Sequence, residues 1–172
     1  MSLRQTRPSH PPATPGPDDR ATAVLDVVVA GAHGGAGTST LTALLPAAWD
    51  MGAIGSLLEL DRSPLRAKGR PVVLVVRNTA VAAKSATAAI AALCKWDEEV
   101  RALAIVSDGG PESRDATARF ALLEGRVGGV VRVPHVRALR LAEDAAEITL
   151  PGKAQRALDE LRGLLGDSTI LR

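Results

Sequence analysis

The run Val27-Val28-Val29-Ala30 leads directly into Gly31-Ala32-His33-Gly34-Gly35-Ala36-Gly37 and then Thr38-Ser39-Thr40-Leu41. No other stretch constrains the fold as tightly. A short, continuous β-branched run reads as a strand buried on both faces. A strand covered on both faces belongs in a parallel sheet between helices. Gly34, Gly35 and Gly37 open backbone angles closed to other residues, as a tight strand-to-helix turn requires. The hydroxyls that follow suit a helix start, with Thr38 and Ser39 equally fit to cap it. Strand, glycine turn and helix in that order converge backbone N–H groups on one point, where an anion can sit.

The rest of the chain alternates strand and helix signals. Strands are expected over 24–30, 54–60, 72–77, 101–106 and 128–133. Helices are expected over 38–45, 79–95, 115–123, 139–146 and 152–165, and Pro46 stops the first of them. The expected fold is therefore α/β, three layers with a mainly parallel sheet. Residues 1–20 carry Pro8, Pro11, Pro12, Pro15 and Pro17 and few large apolar side chains. They read as a disordered arm, and residues 21–172 as the domain.

Composition narrows the function classes. A net charge of +2 implies no strong polyanion partner. Two Trp and one Phe offer few rings for stacking bases, which disfavours a single-strand-binding module. Cys94 stands alone, so neither an internal disulfide nor a cysteine metal site is expected; within an apolar helix it reads as a small core residue. His10 and His135 have no ligand companions in sequence. Arg126, Arg132, Arg137 and Arg140 are interspersed with Glu143, Asp144 and Glu147, which cancel most of their field, so DNA contact is disfavoured. No secretory signal pattern and no long apolar run is present, which makes the cytoplasm the expected location and a membrane span unexpected.

His33-Gly34-Gly35-Ala36-Gly37-Thr38-Ser39-Thr40 resembles the deviant Walker A loop of the ParA/MinD group, Lys-Gly-Gly-x-Gly-Lys-[Ser/Thr]-[Ser/Thr]. His33 and Thr38 replace both lysines. The strand Val72–Val76 with its small-residue helix, and the segment Val130-Val131-Arg132-Val133-Pro134-His135-Val136, look like later parts of the same fold. The similarity is to a small actinobacterial group of degenerate ParA-like proteins. It implies a P-loop NTPase-like domain, shortened relative to ParA/MinD. Residues 33–40 (His33, Gly34, Gly35, Ala36, Gly37, Thr38, Ser39, Thr40) would contact ATP or ADP, with the Ser39 hydroxyl on Mg2+. Ser107, Asp108, Pro134 and His135 would lie near the base. Asp61 is the candidate for the family's catalytic aspartate, and Asp50, in an expected Trp-Asp-Met-Gly turn, is a second. The same resemblance implies a protein partner or a homodimer, in a setting such as plasmid partition, conjugation or polar assembly.

Without the lysine, hydrolysis loses a cation beside the γ-phosphate, typically about 10²–10³ in rate. Arg62 and Arg66 are possible substitutes that the sequence alone does not place. A weak nucleotide binder or pseudo-ATPase is therefore expected. Two alternatives stay open. Gly31, Gly34 and Gly37 also satisfy Gly-x-x-Gly-x-x-Gly, and Glu59, Asp61 and Arg62 resemble the ribose and 2′-phosphate contacts of an NAD(P)-binding Rossmann domain. The other alternative is a scaffold that binds no ligand.

Overall fold

The computed structural model describes residues 26–58 and 62–166. The proline-rich arm, Glu59 and Asp61 lie outside them. Five strands form one sheet: β1 (Val27–Gly31), β2 (Ala48–Ala53), β3 (Val72–Arg77), β4 (Val100–Val106) and β5 (Val130–Val133). Their order is β2-β1-β3-β4-β5, and every neighbouring pair is parallel. The helices are α1 (Thr38–Leu44), α2 (Ala80–Lys95), α3 (Arg114–Ala121), α4 (Arg137–Leu141) and α5 (Gly152–Gly166).

The period of two along β3 divides the core. Val72, Leu74 and Val76 face one layer with Ala83, Ala86, Ile90 and Leu93 of α2 and Phe120 of α3. Val73 and Val75 face the other layer, with Leu41 of α1 and Leu158, Leu161 and Leu165 of α5. The protein is thus an α/β domain of three layers. From β1 the chain turns one way through α1 to β2, then crosses back and runs the other way through β3, β4 and β5. Connections of a single hand require the helices to change faces at that reversal, and they do. The change of direction falls between β1 and β3, and the carboxyl ends of strands at such a reversal are where ligands of doubly wound sheets bind.

Local sequence accounts for the helix starts. Thr79 and Ser113 cap α2 and α3, their side-chain oxygens accepting the N–H groups of Ala82 and Ala116, each at 3.1 Å. The start of α1 differs from expectation. Gly37 holds the cap position in the left-handed conformation, φ 98°, and no side chain caps it.

Three further expectations are corrected. The second strand is Ala48–Ala53, not 54–60, so Asp50 lies in a strand rather than a turn. Residues 54–58 turn away, with a 3-10 turn at Gly55–Leu57. The helix expected over 139–146 is only Arg137–Leu141. A separate 3-10 turn follows at Ala145–Glu147, because the Asp144 carboxylate accepts the Ala146 N–H and starts a new turn. Cys94 is exposed, and the neighbouring Leu93 is the core residue. Among the described residues no helix is long and apolar enough to cross a membrane.

Candidate functional site

The carboxyl rim of the sheet is assembled by strand register. Gly31 pairs with Val75 across β1 and β3, so two residues later His33 stands beside Arg77. There the Arg77 backbone N–H donates to His33 Nε2 at 3.2 Å, and His33 Nδ1 lies 2.9 Å from the Gly34 carbonyl. Because a backbone N–H can only donate, Nε2 accepts and the ring proton sits on Nδ1. Farther out, the Arg77 guanidinium Nε donates to the Gly35 carbonyl at 2.9 Å. The glycine loop is thereby clasped to the end of β3 by its carbonyls.

That clasp decides where the N–H groups point. In a trans peptide the C=O and the following N–H are antiparallel. Holding the Gly34 and Gly35 carbonyls toward His33 and Arg77 turns the Gly35 and Ala36 N–H groups away from them. Among the described residues, no backbone N–H from His33 to Thr40 donates to a protein acceptor. Gly35 at φ 72° and Gly37 at φ 98° carry the left-handed angles this turn needs. Because α1 is short, seven residues, the donors come chiefly from the loop.

Thr38, where the resembled loop carries lysine, is turned inward. Thr38 is 8% exposed, and its Oγ1 is packed against Gly31 so closely that a Cβ at position 31 would collide with it. Ser39 is exposed and Thr40 half-buried. Ser39 offers a single hydroxyl to a cation. Among the described residues there is no group of three or more His, Cys, Asp or Glu able to hold a metal. A Mg2+ there would need further oxygens from a bound ligand. Asp50 is remote from that role: its carboxylate accepts the Gly52 N–H at 2.7 Å.

The residues expected near a base do come together. Ile105 pairs with Arg132 and Val106 with Val133, which brings Ser107 and Asp108 alongside Pro134 and His135. Ser107 and Asp108 each close a turn by accepting the N–H two residues on, from Gly109 at 3.2 Å and Gly110 at 2.9 Å. Gly109 lies against the His135 ring, where a Cβ would meet Cδ2 at 3.0 Å. Ser107 and Pro134, with Asn78, Glu112 and Arg132, line a pocket of about 250 Å3. The loop residues 33–40 are not among its lining, although Gly37 abuts Val106 at the same rim.

Asn78, Glu112 and Arg77 are functional candidates that the sequence does not single out. The Thr117 hydroxyl, 2.8 Å away, and the Arg132 guanidinium and Asn78 amide hold the Glu112 carboxyl below its usual value, against the opposing effect of burial. A carboxylate only accepts, so the Asn78 NH2 faces Glu112. The Asn78 Oδ1 is left buried without a partner. Arg62 and Arg66 do not reach the glycine loop; they line a different pocket, with Trp96.

No family model, curated protein or solved structure matches the chain. What the site offers chemically therefore rests on its own groups: loop N–H donors, one clasping guanidinium, and an adjoining pocket with an unsatisfied acceptor.

Proposed function

We propose that this domain binds a phosphate-bearing nucleotide, ATP or ADP, weakly at the glycine loop. It acts as a degenerate ParA-like interaction module with ATP turnover at or near background. The observation that carries this reading is the set of loop N–H groups, His33 to Thr40, without protein acceptors at the β1/β3 reversal. Ala36 and Thr38 are buried and His33, Gly37 and Thr40 half-buried, and N–H groups so placed normally find partners, which a bound anion would supply. The Arg77 guanidinium contacts the loop, and its Nε is committed to the Gly35 carbonyl. Thr38 supplies no charge where intact loops carry lysine. Phosphoryl transfer depends on positioning and on charge beside the γ-phosphate, so weak binding with little hydrolysis follows.

The Rossmann alternative draws less support from the geometry. It needs an acid at the end of the second strand, and β2 ends at Ala53, six residues before Glu59 and eight before Asp61. Titration calorimetry with ATP-Mg2+, ADP, GTP and NADPH tests the proposal. Adenine nucleotides should bind best, Arg77→Ala should weaken them, and Thr38→Lys should strengthen binding more than it restores phosphate release. Tightest binding by NADPH would favour the Rossmann reading, and no binding of any of the four would favour the scaffold. Robust phosphate release, lost in Asp61→Ala, would refute the pseudo-ATPase.

A further inference from the structure

Segment 62–70 carries Arg62, Arg66, Lys68 and Arg70, and is preceded by Glu59 and Asp61, which lie outside the described residues. It leads into the amino end of β3, at the other rim of the sheet from the glycine loop. Its backbone is fixed. Leu65 and Ala67 are sunk in the core at 2% and 1% exposure, while Arg66 and Lys68 between and after them are exposed. The Ala67 N–H donates to Glu98 Oε1 at 3.0 Å, and the Arg70 N–H to the Ala67 carbonyl at 3.1 Å. Arg62, Ser63, Arg66, Lys68, Trp96 and Glu98 line a pocket of about 490 Å3.

The charges in this pocket are unmatched. Among the described residues, the side chains of Arg62, Arg66 and Lys68 make no ion pair or hydrogen bond, which is also true of exposed cations elsewhere such as Arg126, Arg137 and Arg140; these three are set apart by sharing one concavity. Among the described residues Glu98 is the single carboxylate in the lining, and one of its oxygens already holds the Ala67 N–H. Three like charges around a concavity repel one another and are relieved by an anion. The planar guanidinium groups match phosphate oxygens two at a time. Trp96 adds an apolar ring, 38% exposed, with the Lys95 ammonium 5.5 Å from its centroid. Phosphate-matching cations beside a part-exposed indole suit a ligand that alternates phosphate with a flat aromatic group.

We propose that this pocket is a second binding site, for single-stranded nucleic acid. Backbone phosphates lie on Arg62, Arg66 and Lys68, and a base rests against Trp96. A concave site with one half-sunk ring fits an unstacked strand better than a duplex or a flat bilayer. A single ring and three cations make a weak site. The scarcity of aromatic residues argues against a long stacking platform, not against a site for one or two nucleotides.

The test uses the full chain with Trp49→Phe, so that emission reports Trp96, titrated with a labelled short oligothymidylate. Binding should quench Trp96 and weaken with salt at a log–log slope of about −2, as three phosphate contacts on a single strand require. Arg66→Gln/Lys68→Gln should weaken binding several-fold and flatten that slope. Trp96→Ala, read by anisotropy, should weaken it by roughly ten-fold. Lys153→Gln/Arg156→Gln removes the same formal charge from exposed positions on α5 and should leave affinity nearly unchanged. The proposal fails if both double variants lose affinity equally, if Trp96 emission does not change at saturation, or if no strand binding is detected. It fails too if duplex DNA, polyglutamate or phosphatidylserine vesicles bind as tightly as the strand. Circular dichroism on each variant separates loss of binding from loss of fold.

Discussion

Replacing Gly31 by alanine tests the packing on which the glycine loop depends. The new Cβ would collide with Thr38 Oγ1 and would stand 3.2 Å from the His33 carbonyl and 3.5 Å from the Ala36 Cβ. The last two are tight or ordinary contacts, so nearly all of the strain comes from one oxygen. Thr38 is 8% exposed, and rotating its side chain away drives the branched Cβ against its surroundings. Overpacking of this kind costs about 1–3 kcal/mol, equivalent in a chain of this size to a fall in Tm of roughly 2–12 °C. Thr38→Ala removes the oxygen, which makes no hydrogen bond among the described residues, so alone it should cost about 1 kcal/mol or less, in the range of a minor packing loss. In Gly31→Ala/Thr38→Ala the collision is gone, and most of the Gly31→Ala cost should be recovered. Urea unfolding of the four proteins gives a double-mutant cycle, with an expected coupling of about 1–2 kcal/mol in favour of the pair. Simple additivity would show that Thr38 is not folded back over Gly31, and the account of how this loop is packed would be wrong.

Two further outcomes follow from the pocket and its supporting helix. The Glu112 carboxyl is held below its ordinary value of 4.5, first by the Thr117 hydroxyl, so its stabilising contribution is present above that value and is lost as pH falls through the lower folded-state value. Acid unfolding of Glu112→Gln should therefore be flatter than wild type below about pH 4.5, and Thr117→Val should move it part-way; curves that superimpose would refute the linkage. Ser113→Ala removes the oxygen that accepts the Ala116 N–H at the start of α3, and should lower stability by about 0.5–2 kcal/mol in a thermal or urea melt. No change would mean that another group satisfies that N–H.

The parts of this fold legible in the sequence are those buried on both faces. β3 and β4 carry apolar residues almost without interruption because helices cover both sides. β2 defeats the same reading because it is an edge strand. Trp49, Asp50 and Met51 are all exposed, so burial imposes no pattern on them, and the apolar residues at 54, 57 and 58 mimic a strand that is in fact a turn. Ile54 is buried there because the chain folds back onto the core, with its N–H on the Gly31 carbonyl at 2.9 Å. Cys94 misleads for a related reason: α2 is rich in small residues all round, so its buried face is not marked by contrast with a polar one.

The glycine loop was legible because its conformational demands are local: two left-handed angles within three residues can be read from glycine alone. Its partners were not, because they arrive by long-range register. His33 and Arg77 are 44 residues apart, and only the pairing of Gly31 with Val75 makes them neighbours. The same holds for Glu112 and Arg132, from the approach to α3 and from β5. The two positions where the resembled loop carries lysine are built differently here. At position 38 the threonine turns inward and packs on Gly31. At position 33 the histidine turns sideways and accepts a backbone N–H from β3. Neither side chain delivers charge to the loop, yet both hold its shape. On the proposed reading, a loop with donor N–H groups and no lysine can position an anion but has little means to stabilise charge developing on it. That division separates binding from turnover, and it is why nucleotide affinity and phosphate release in Thr38→Lys are expected to respond unequally.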